Sequence, residues 1–238
     1  MIFGGRGILL DVEGTTSSIR YVYDVLFPFA RRELSGYLAT HWGSLELMEA
    51  LNWVAKDAGK PDFDTWLGQY SPIEQRAMIH AELDQLIQVD AKTTGLKQIQ
   101  GLVWRSGFER GELCAHVFSD VPEALCRWRQ RNIEICIYSS GSIEAQRLFF
   151  SHTLAGDLTP YLAGHFDTTT GAKRDPESYR AIARAFGTAP ENLLFLSDIP
   201  EELHAARNEG WQTALVLRPG NAPAVWDGAH IENFDQIL

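Results

Sequence analysis

The chain has 238 residues, 45% of them hydrophobic, which is enough to bury the core of one domain with an insertion or of two small domains. Its formal net charge of -10 disfavours binding to nucleic acid or to an anionic membrane surface, because both would repel it. The sequence has no signal-peptide pattern, no apolar stretch of roughly 18 residues and no metal-like spacing of its three cysteines, so we expect a cytoplasmic protein without a membrane span.

Short, continuously apolar runs predict the strands of a parallel sheet that is covered on both faces. They occupy residues 8–10, 133–138, 193–197 and 213–217. Two helix starts are recognisable between them: Asp120 precedes Glu123 at capping-box spacing, and Asp175 precedes Pro176 as an N-cap. From about residue 116 onward helices and strands alternate, which predicts a doubly wound, mainly parallel α/β sheet of the Rossmann type.

The segment at residues 21–115 breaks this alternation, because its apolar residues recur at helical spacing. Ser71 and Glu74 have capping-box spacing there, with Pro72 in the first helical turn. Crossovers between parallel strands are normally much shorter, so we expect a helical cap domain at 21–115, inserted into an α/β catalytic core at 1–20 and 116–238. A cap that enters at the end of the first strand would lie above the ligand-binding edge of the sheet and select the substrate.

Two acids follow the first predicted strand directly. A carboxylate can attack phosphorus and hold the phosphoryl group, so Asp11 is the candidate nucleophile. Glu13, two residues further on, can protonate the leaving oxygen and then deprotonate the attacking water. Gly14 allows the backbone to turn tightly away from the strand.

Donors for a phosphate group follow other predicted strands. Ser139 and Ser140 lie after the second strand, where their hydroxyls and amides open onto a helix N-terminus. Lys173 lies just before a helix, where its ammonium group could hold the phosphate and offset the crowded carboxylates. Arg174 is the competing candidate for that role.

A metal site is predicted at the end of the strand at 193–197. Asp198 can meet Asp11 across adjacent strand ends and complete an oxygen-rich site for Mg²⁺. Glu202, one helical turn further on, is expected to support Asp198 without binding the metal itself.

These segments resemble the four signature motifs of the haloacid dehalogenase-like superfamily, with the helical cap between the first and second motifs. The resemblance extends to the enolase-phosphatases of methionine salvage, also called acireductone synthases. It rests on D-V-E-G-T-T-S-S-I from residue 11, G-x-x-W-R-S-G-F-x-x-G-E-L at 101–113, A-H-V-F-S-D-V-P at 115–122, Y-S-S-G-S at 138–142, G-D-L-T-P-Y at 156–161, F-D-T-T-T-G-A-K-R at 166–174 and L-R-P-G-N at 217–221. It covers nearly the whole chain and is weakest at residues 40–70.

The resemblance implies a two-step reaction on 2,3-diketo-5-methylthiopentyl 1-phosphate: enolisation, then loss of phosphate to give the acireductone 1,2-dihydroxy-3-keto-5-methylthiopentene. It implies that Asp11 is both nucleophile and Mg²⁺ ligand, that Glu13 reaches the metal through its backbone carbonyl and acts as acid and base, and that Asp198 is a further ligand. The implied substrate-binding residues are Ser139, Ser140 and Lys173. The group that removes the proton in enolisation stays open between Glu13 and a cap residue.

Other functions require different parts of this set. A phosphomutase of the same superfamily would share Asp11 and the metal but return the phosphoryl group to a sugar, and another metabolite phosphatase would share the whole set. A phospholigand-binding protein would not need both Asp11 and Glu13, and a dehalogenase would need neither Glu13 nor a metal. We expect a monomer that acts on a small phosphorylated molecule, with Tyr21, Trp104 and Phe108 as candidates for the apolar pocket of the methylthio tail.

Overall fold

A computed structural model gives the fold and describes residues 1–89 and 91–238. The strands are β1 (Gly7–Leu10), β2 (Glu134–Tyr138), β3 (Gly164–Phe166), β4 (Leu193–Ser197), β5 (Gln212–Val216) and β6 (Ala229–Ile231). In this described part of the chain, the six strands form one parallel sheet with the order β3-β2-β1-β4-β5-β6. The predicted doubly wound parallel core is confirmed.

The centre of the sheet is the part that the sequence predicts best. Every residue of β1 is buried, as expected for a short apolar run covered on both faces. Leu10 of β1 pairs with Ile137 of β2 and Leu196 of β4, so the carboxyl ends of these strands meet at one edge of the sheet. β3 and β6 were not predicted from the sequence, since they are edge strands of only 3 residues each.

Over its described residues the chain divides into two compact units, residues 1–22 with 114–238 and residues 23–113. A short helix, α1 (Ile19–Tyr21), continues through a π-helical turn (Val22–Leu26) to the second unit. The helices of that unit are α2 (Phe27–His41), α3 (Leu45–Asp57), α4 (Phe63–Leu67), α5 (Pro72–Gln88) and α6 (Thr94–Glu109). The predicted capping box opens α5, where the Ser71 N–H donates to the Glu74 carboxylate at 2.9 Å. The role of this unit as a substrate-selecting cap stays a prediction.

The helices of the first unit pack against the sheet. They are α7 (Val121–Gln130), α8 (Ile143–Ser151), α9 (Pro176–Phe186) and α10 (Pro200–Asn208). Asp175 caps α9 as predicted, since its carboxylate accepts from the Glu177 N–H at 3.0 Å. The capping box predicted for α7 is wrong: Asp120 precedes the helix but makes no capping hydrogen bond, because its carboxylate accepts from Arg218 and from the Phe234 N–H instead.

A cluster of buried aromatic rings fixes α9 to the sheet. Tyr179 of α9 packs against Phe195 of β4, with 5.1 Å between ring centroids, and against Trp211, with 6.0 Å. Because α9 is held in this way, the loop at its N-terminus, which carries Lys173, starts from a fixed position.

Among the described helices, none combines the length and the apolarity that a membrane crossing needs.

Candidate active site

Asp11 lies immediately after β1 and is almost fully buried, with 2% of its surface exposed. Its N–H continues the sheet pattern by donating to the Leu196 carbonyl at 3.0 Å. Its Oδ1 accepts from the Val12 N–H at 2.7 Å and lies 2.7 Å from the Lys173 Nζ. Its Oδ2 accepts from the Ser197 hydroxyl at 3.3 Å. Two neighbouring strands and the loop before α9 therefore hold this carboxylate in one orientation.

Lys173 is the cation of the site. Its Nζ lies 2.7 Å from Asp11 Oδ1 and 2.7 Å from Glu202 Oε2, and only 12% of its side chain is exposed. Burial alone would lower the pKa of Lys173, but the charges of Asp11 and Glu202 outweigh burial and raise it. Lys173 is therefore a permanent cation. Arg174, the competing candidate, is exposed and lies outside this cluster.

The backbone that carries Lys173 is held by buried hydroxyl groups. Three successive carbonyls each accept one hydrogen bond: Gly171 from Tyr138 at 2.9 Å, Ala172 from Ser178 at 2.8 Å and Lys173 from Tyr179 at 2.7 Å. All three hydroxyl-bearing residues are buried. This role is not predictable from the sequence, because Tyr and Ser in apolar segments resemble ordinary core positions.

Glu13 lies next to this cluster and is partly buried. Its Oε2 accepts from the Ser139 hydroxyl at 3.3 Å. Burial and the neighbouring Asp11 carboxylate raise the pKa of Glu13, and Lys173 opposes the shift only in part. A raised pKa favours the protonated form of a carboxyl group, which can give its proton to a leaving group.

The loop after β2 brings Ser139 to Glu13. Ser139 is buried, and its hydroxyl also accepts from the Gly141 N–H at 3.2 Å, whereas Ser140 is exposed. Gln146 of α8 braces this loop: its Nε2 donates to the Gly141 carbonyl at 2.9 Å and to the Phe166 carbonyl at 2.8 Å. Gln146, a buried amide on α8, was not among the predicted site residues.

Asp198 follows β4 and packs against the turn after β1. A Cβ atom at Gly14 would overlap the Asp198 carboxylate, and Gly14 has a φ of 74°, so glycine is needed there for both reasons. Burial and the charge of Asp11 raise the pKa of Asp198 to about 7. Asp198 thus lies close enough to Asp11 for the charge of Asp11 to act on it, and its role as a metal ligand stays a prediction.

Glu202 of α10 makes contacts that the sequence analysis did not foresee. It was expected to support Asp198, but its Oε2 lies 2.7 Å from the Lys173 Nζ and accepts from the Ser197 hydroxyl at 3.0 Å. Burial and the charge of Asp11 raise the pKa of Glu202 to about 7, against the opposing effect of Lys173. Ser197 was not predicted either, although its hydroxyl lies between the Asp11 and Glu202 carboxylates, 3.3 Å from one and 3.0 Å from the other.

The donor set fits Mg²⁺. The described residues contain no ready-made cluster of three or more His, Cys, Asp or Glu side chains that could hold a metal. Mg²⁺ does not require one, because it usually keeps several waters and binds through one or two carboxylates plus substrate phosphate. The raised pKa values of Glu13, Asp198 and Glu202 indicate a surplus of acid groups around Lys173, and a divalent cation beside Asp11 would offset this surplus.

Comparisons with known proteins identify the family of the chain. A model of the haloacid dehalogenase-like hydrolases matches residues 6–210 of the chain. The enolase-phosphatase E1 of Sorangium cellulosum is 45% identical over 233 residues, which are 98% of this chain and 97% of that protein. The chain belongs to the enolase-phosphatase family of haloacid dehalogenase-like hydrolases.

Another enolase-phosphatase and one solved structure are also similar to this chain. The enolase-phosphatase E1 of Pectobacterium carotovorum is 40% identical over 232 residues, with 98% of this chain and 96% of that protein covered. Among solved structures, the UTR4 protein of Saccharomyces cerevisiae has a TM-score of 0.80 and 31% identity, covering 98% of this chain and 99% of that chain. The superfamily, the family and the hydrolase class predicted from the motifs are confirmed.

Proposed function

We propose that this chain is a bifunctional enolase-phosphatase that converts 2,3-diketo-5-methylthiopentyl 1-phosphate to the acireductone and phosphate in methionine salvage. The observation that carries the proposal is the buried contact of Asp11 with Lys173, beside a Glu13 whose pKa is raised. This set supplies a nucleophile, a phosphate-binding cation and an acid within one small space. Extensive identity to enolase-phosphatases supports the choice of substrate over other phosphate esters.

Asp11 is the nucleophile. Its carboxylate attacks phosphorus and the bond from phosphorus to the substrate oxygen breaks, which leaves an aspartyl phosphate. Lys173 offsets the negative charge of the phosphoryl group and of Asp11 together. Ser139 and Ser140, which follow β2, donate hydrogen bonds to the phosphate oxygens.

Glu13 acts twice in the phosphatase step. Its protonated carboxyl group first gives a proton to the departing oxygen, so that an enol rather than an enolate leaves. The resulting carboxylate then takes a proton from the water that attacks the aspartyl phosphate, which releases phosphate and restores Asp11. The Ser139 hydroxyl has one hydrogen, so it donates either to Glu13, which orients that side chain, or to the phosphate.

Asp11, the backbone carbonyl of Glu13 and Asp198 are the residues that would hold Mg²⁺. When bound, the metal supplies positive charge that stabilises the phosphoryl group during transfer. The packing of Asp198 against Gly14 fixes one of these ligands. Glu202 binds Lys173 and Ser197, and so orients Lys173 without binding the metal.

Enolisation needs a base and a group that polarises the neighbouring carbonyl. Lys173 is a permanent cation and polarises that carbonyl, which makes the adjacent C–H more acidic. We assign Glu13 as the base, because it lies beside Asp11 and Lys173 and its carboxylate, once it has taken the C–H proton, becomes the acid of the phosphatase step. Loss of enolisation in Glu13→Gln is the expected result, and enolisation that survives in this variant would assign the proton transfer to another residue.

We place the reaction in the cytoplasm and expect a monomer to carry it out. The free thiol groups of Cys114, Cys126 and Cys136 support a reducing compartment.

An anaerobic assay with the diketo phosphate and Mg²⁺ tests the proposal by following the enediol chromophore and inorganic phosphate together. Both should form with the wild-type protein, and Asp11→Asn should release no phosphate. Phosphate from simple esters but none from the diketo phosphate would keep the nucleophile and reject the pathway. Release that requires a sugar bisphosphate activator would indicate a phosphomutase.

A further inference from the structure

The turn after Glu13 is held through its backbone carbonyls. Three successive carbonyls accept hydrogen bonds from groups far away in the sequence: Gly14 from Asn221 Nδ2 at 2.8 Å, Thr15 from Arg218 Nε at 3.0 Å and Thr16 from the Phe118 N–H at 3.0 Å. Phe118 belongs to the segment A-H-V-F-S-D-V-P, and the other two donors belong to L-R-P-G-N. The chemistry described above gives neither segment a role.

Arg218 is built into the protein by an unusually complete set of contacts. Only 7% of its surface is exposed, and its Nη1 and Nη2 donate to the two oxygens of Asp120 at 2.9 Å and 2.8 Å. Nη1 also donates to the Glu232 carbonyl at 3.1 Å. The guanidinium carbon lies 4.4 Å from the ring centroid of Phe118 and 4.7 Å from that of Phe234. These contacts fix the orientation of the guanidinium group, so that its Nε points towards the Thr15 carbonyl.

Stability alone is a weak reason for this arrangement. A buried ion pair loses about as much from desolvation as it gains from attraction, and apolar residues of similar volume often stabilise a protein equally well. Phe118 and Phe234 already supply apolar packing at this position. The planar fork of arginine provides something that an apolar residue does not, namely directed donors in a fixed geometry.

We propose that Asn221 and Arg218, with Asp120 as the anchor of Arg218, are positioning residues that hold Glu13 in place for proton transfer. Gly14 and Thr15 follow Glu13 directly, so fixing their carbonyls restricts the backbone from which the Glu13 side chain extends. The inference rests on the proposed function, because it assumes that Glu13 protonates the leaving oxygen. It assigns to the two segments the task of aligning the acid, whereas Tyr138, Ser178 and Tyr179 align Lys173.

A series of phosphate monoesters separates this role from a general structural one. A nitrophenolate leaves without being protonated, whereas an alcohol must receive a proton as it leaves. The value of kcat/KM reports steps up to phosphoryl transfer to Asp11 and so isolates the acid role of Glu13. In Asn221→Ala we expect kcat/KM for alkyl phosphates to fall by about tenfold or more, and kcat/KM for nitrophenyl phosphate to change by less than about twofold.

Asn208→Ala is the matched control, because Asn208 is exposed at the end of α10. It should leave kcat/KM for both classes of ester unchanged. An Asn221→Ala protein whose kcat/KM falls equally for alkyl and nitrophenyl esters would overturn the positioning role and indicate a general loss of active enzyme.

Arg218→Lys is the second variant, and it keeps the charge beside Asp120 while it removes the fork. A steeper dependence on the leaving group is expected here too, in protein that a thermal melt shows to be folded. A dependence on the leaving group that matches the wild type in either folded variant would refute the inference. If the wild type releases phosphate from no ester and not from the diketo phosphate, the proposed function fails instead.

Discussion

Replacing Gly14 by alanine should separate backbone strain from displacement of Asp198. Gly14 has a φ of 74°, where an L-residue other than glycine is strained, and an added Cβ would overlap the Asp198 carboxylate. Gly187, which ends α9, has a similar φ of 63°, and a Cβ there would meet nothing within 4 Å. Gly187→Ala therefore reproduces the strain of Gly14→Ala without its overlap.

The two substitutions should have similar effects on stability and different effects on catalysis. Left-handed backbone at a non-glycine residue costs about 1–2 kcal/mol, which corresponds to a decrease of roughly 2–8 °C in the melting temperature of a chain of this size. In Gly14→Ala the Asp198 carboxylate must also move by roughly 1 Å to restore van der Waals contact. A misplacement of about 1 Å in an active site lowers the rate by roughly 100-fold.

Phosphate release from the diketo phosphate, measured over a range of Mg²⁺ concentrations, tests this reasoning. Gly14→Ala should lose about 100-fold in kcat and need more Mg²⁺ for half-maximal activity, while Gly187→Ala stays within about twofold of wild type. A Gly14→Ala variant as active as Gly187→Ala would show that the position of Asp198 does not limit the reaction.

Three further predictions follow from individual contacts. Tyr179→Phe removes the hydroxyl that donates to the Lys173 carbonyl, so the free energy of unfolding should fall by about 1–3 kcal/mol in urea titrations; an unchanged value would mean that water replaces the hydroxyl. Iodoacetamide should modify the exposed Cys114 in the native protein and spare the buried Cys136, because burial raises the pKa of Cys136 to about 12. Modification of both cysteines at the same rate, followed by mass spectrometry of the peptides, would contradict this prediction. Burial lowers the pKa of His165 from 6.5 to about 4, with a smaller effect from the charge of a nearby arginine. The folded state therefore binds fewer protons at His165 than the unfolded state does, and stability should be lost as the pH falls from 6.5 to about 4. His165→Asn should lose less stability than wild type between pH 7 and pH 5 in the same titrations, and an equal loss would exclude this histidine as the cause.

The sequence predicts the centre of the fold better than its edges. β1 and β4 are short runs in which every residue is buried, and such runs stand out from the sequence without any tertiary information. β3 and β6 do not, because an edge strand of 3 residues has too few buried positions to form a pattern. The start of α7 was recognisable, but the partner of Asp120 was not, because Arg218 lies 98 residues away in the chain.

The same distinction applies to the site. Asp11 and Asp198 are predictable, because each is an acid that directly follows an apolar strand, and the ends of parallel strands meet at one edge. The partner of Glu202 was not predictable, since a residue one turn into a helix can face either neighbour and only packing decides between Asp198 and Lys173. Ser197 has no sequence signal that distinguishes it from any serine at a strand end.

The position of β1 in the sheet determines when β1 can pair during protein synthesis. β1 is complete at Leu10, but its neighbours β2 and β4 begin only at Glu134 and Leu193. During synthesis, residues 23–113 leave the ribosome before either neighbour of β1 exists, and they form a compact unit of their own. β1 therefore stays unpaired for most of the time that synthesis of the chain takes, and it must remain free to pair with β2 and β4.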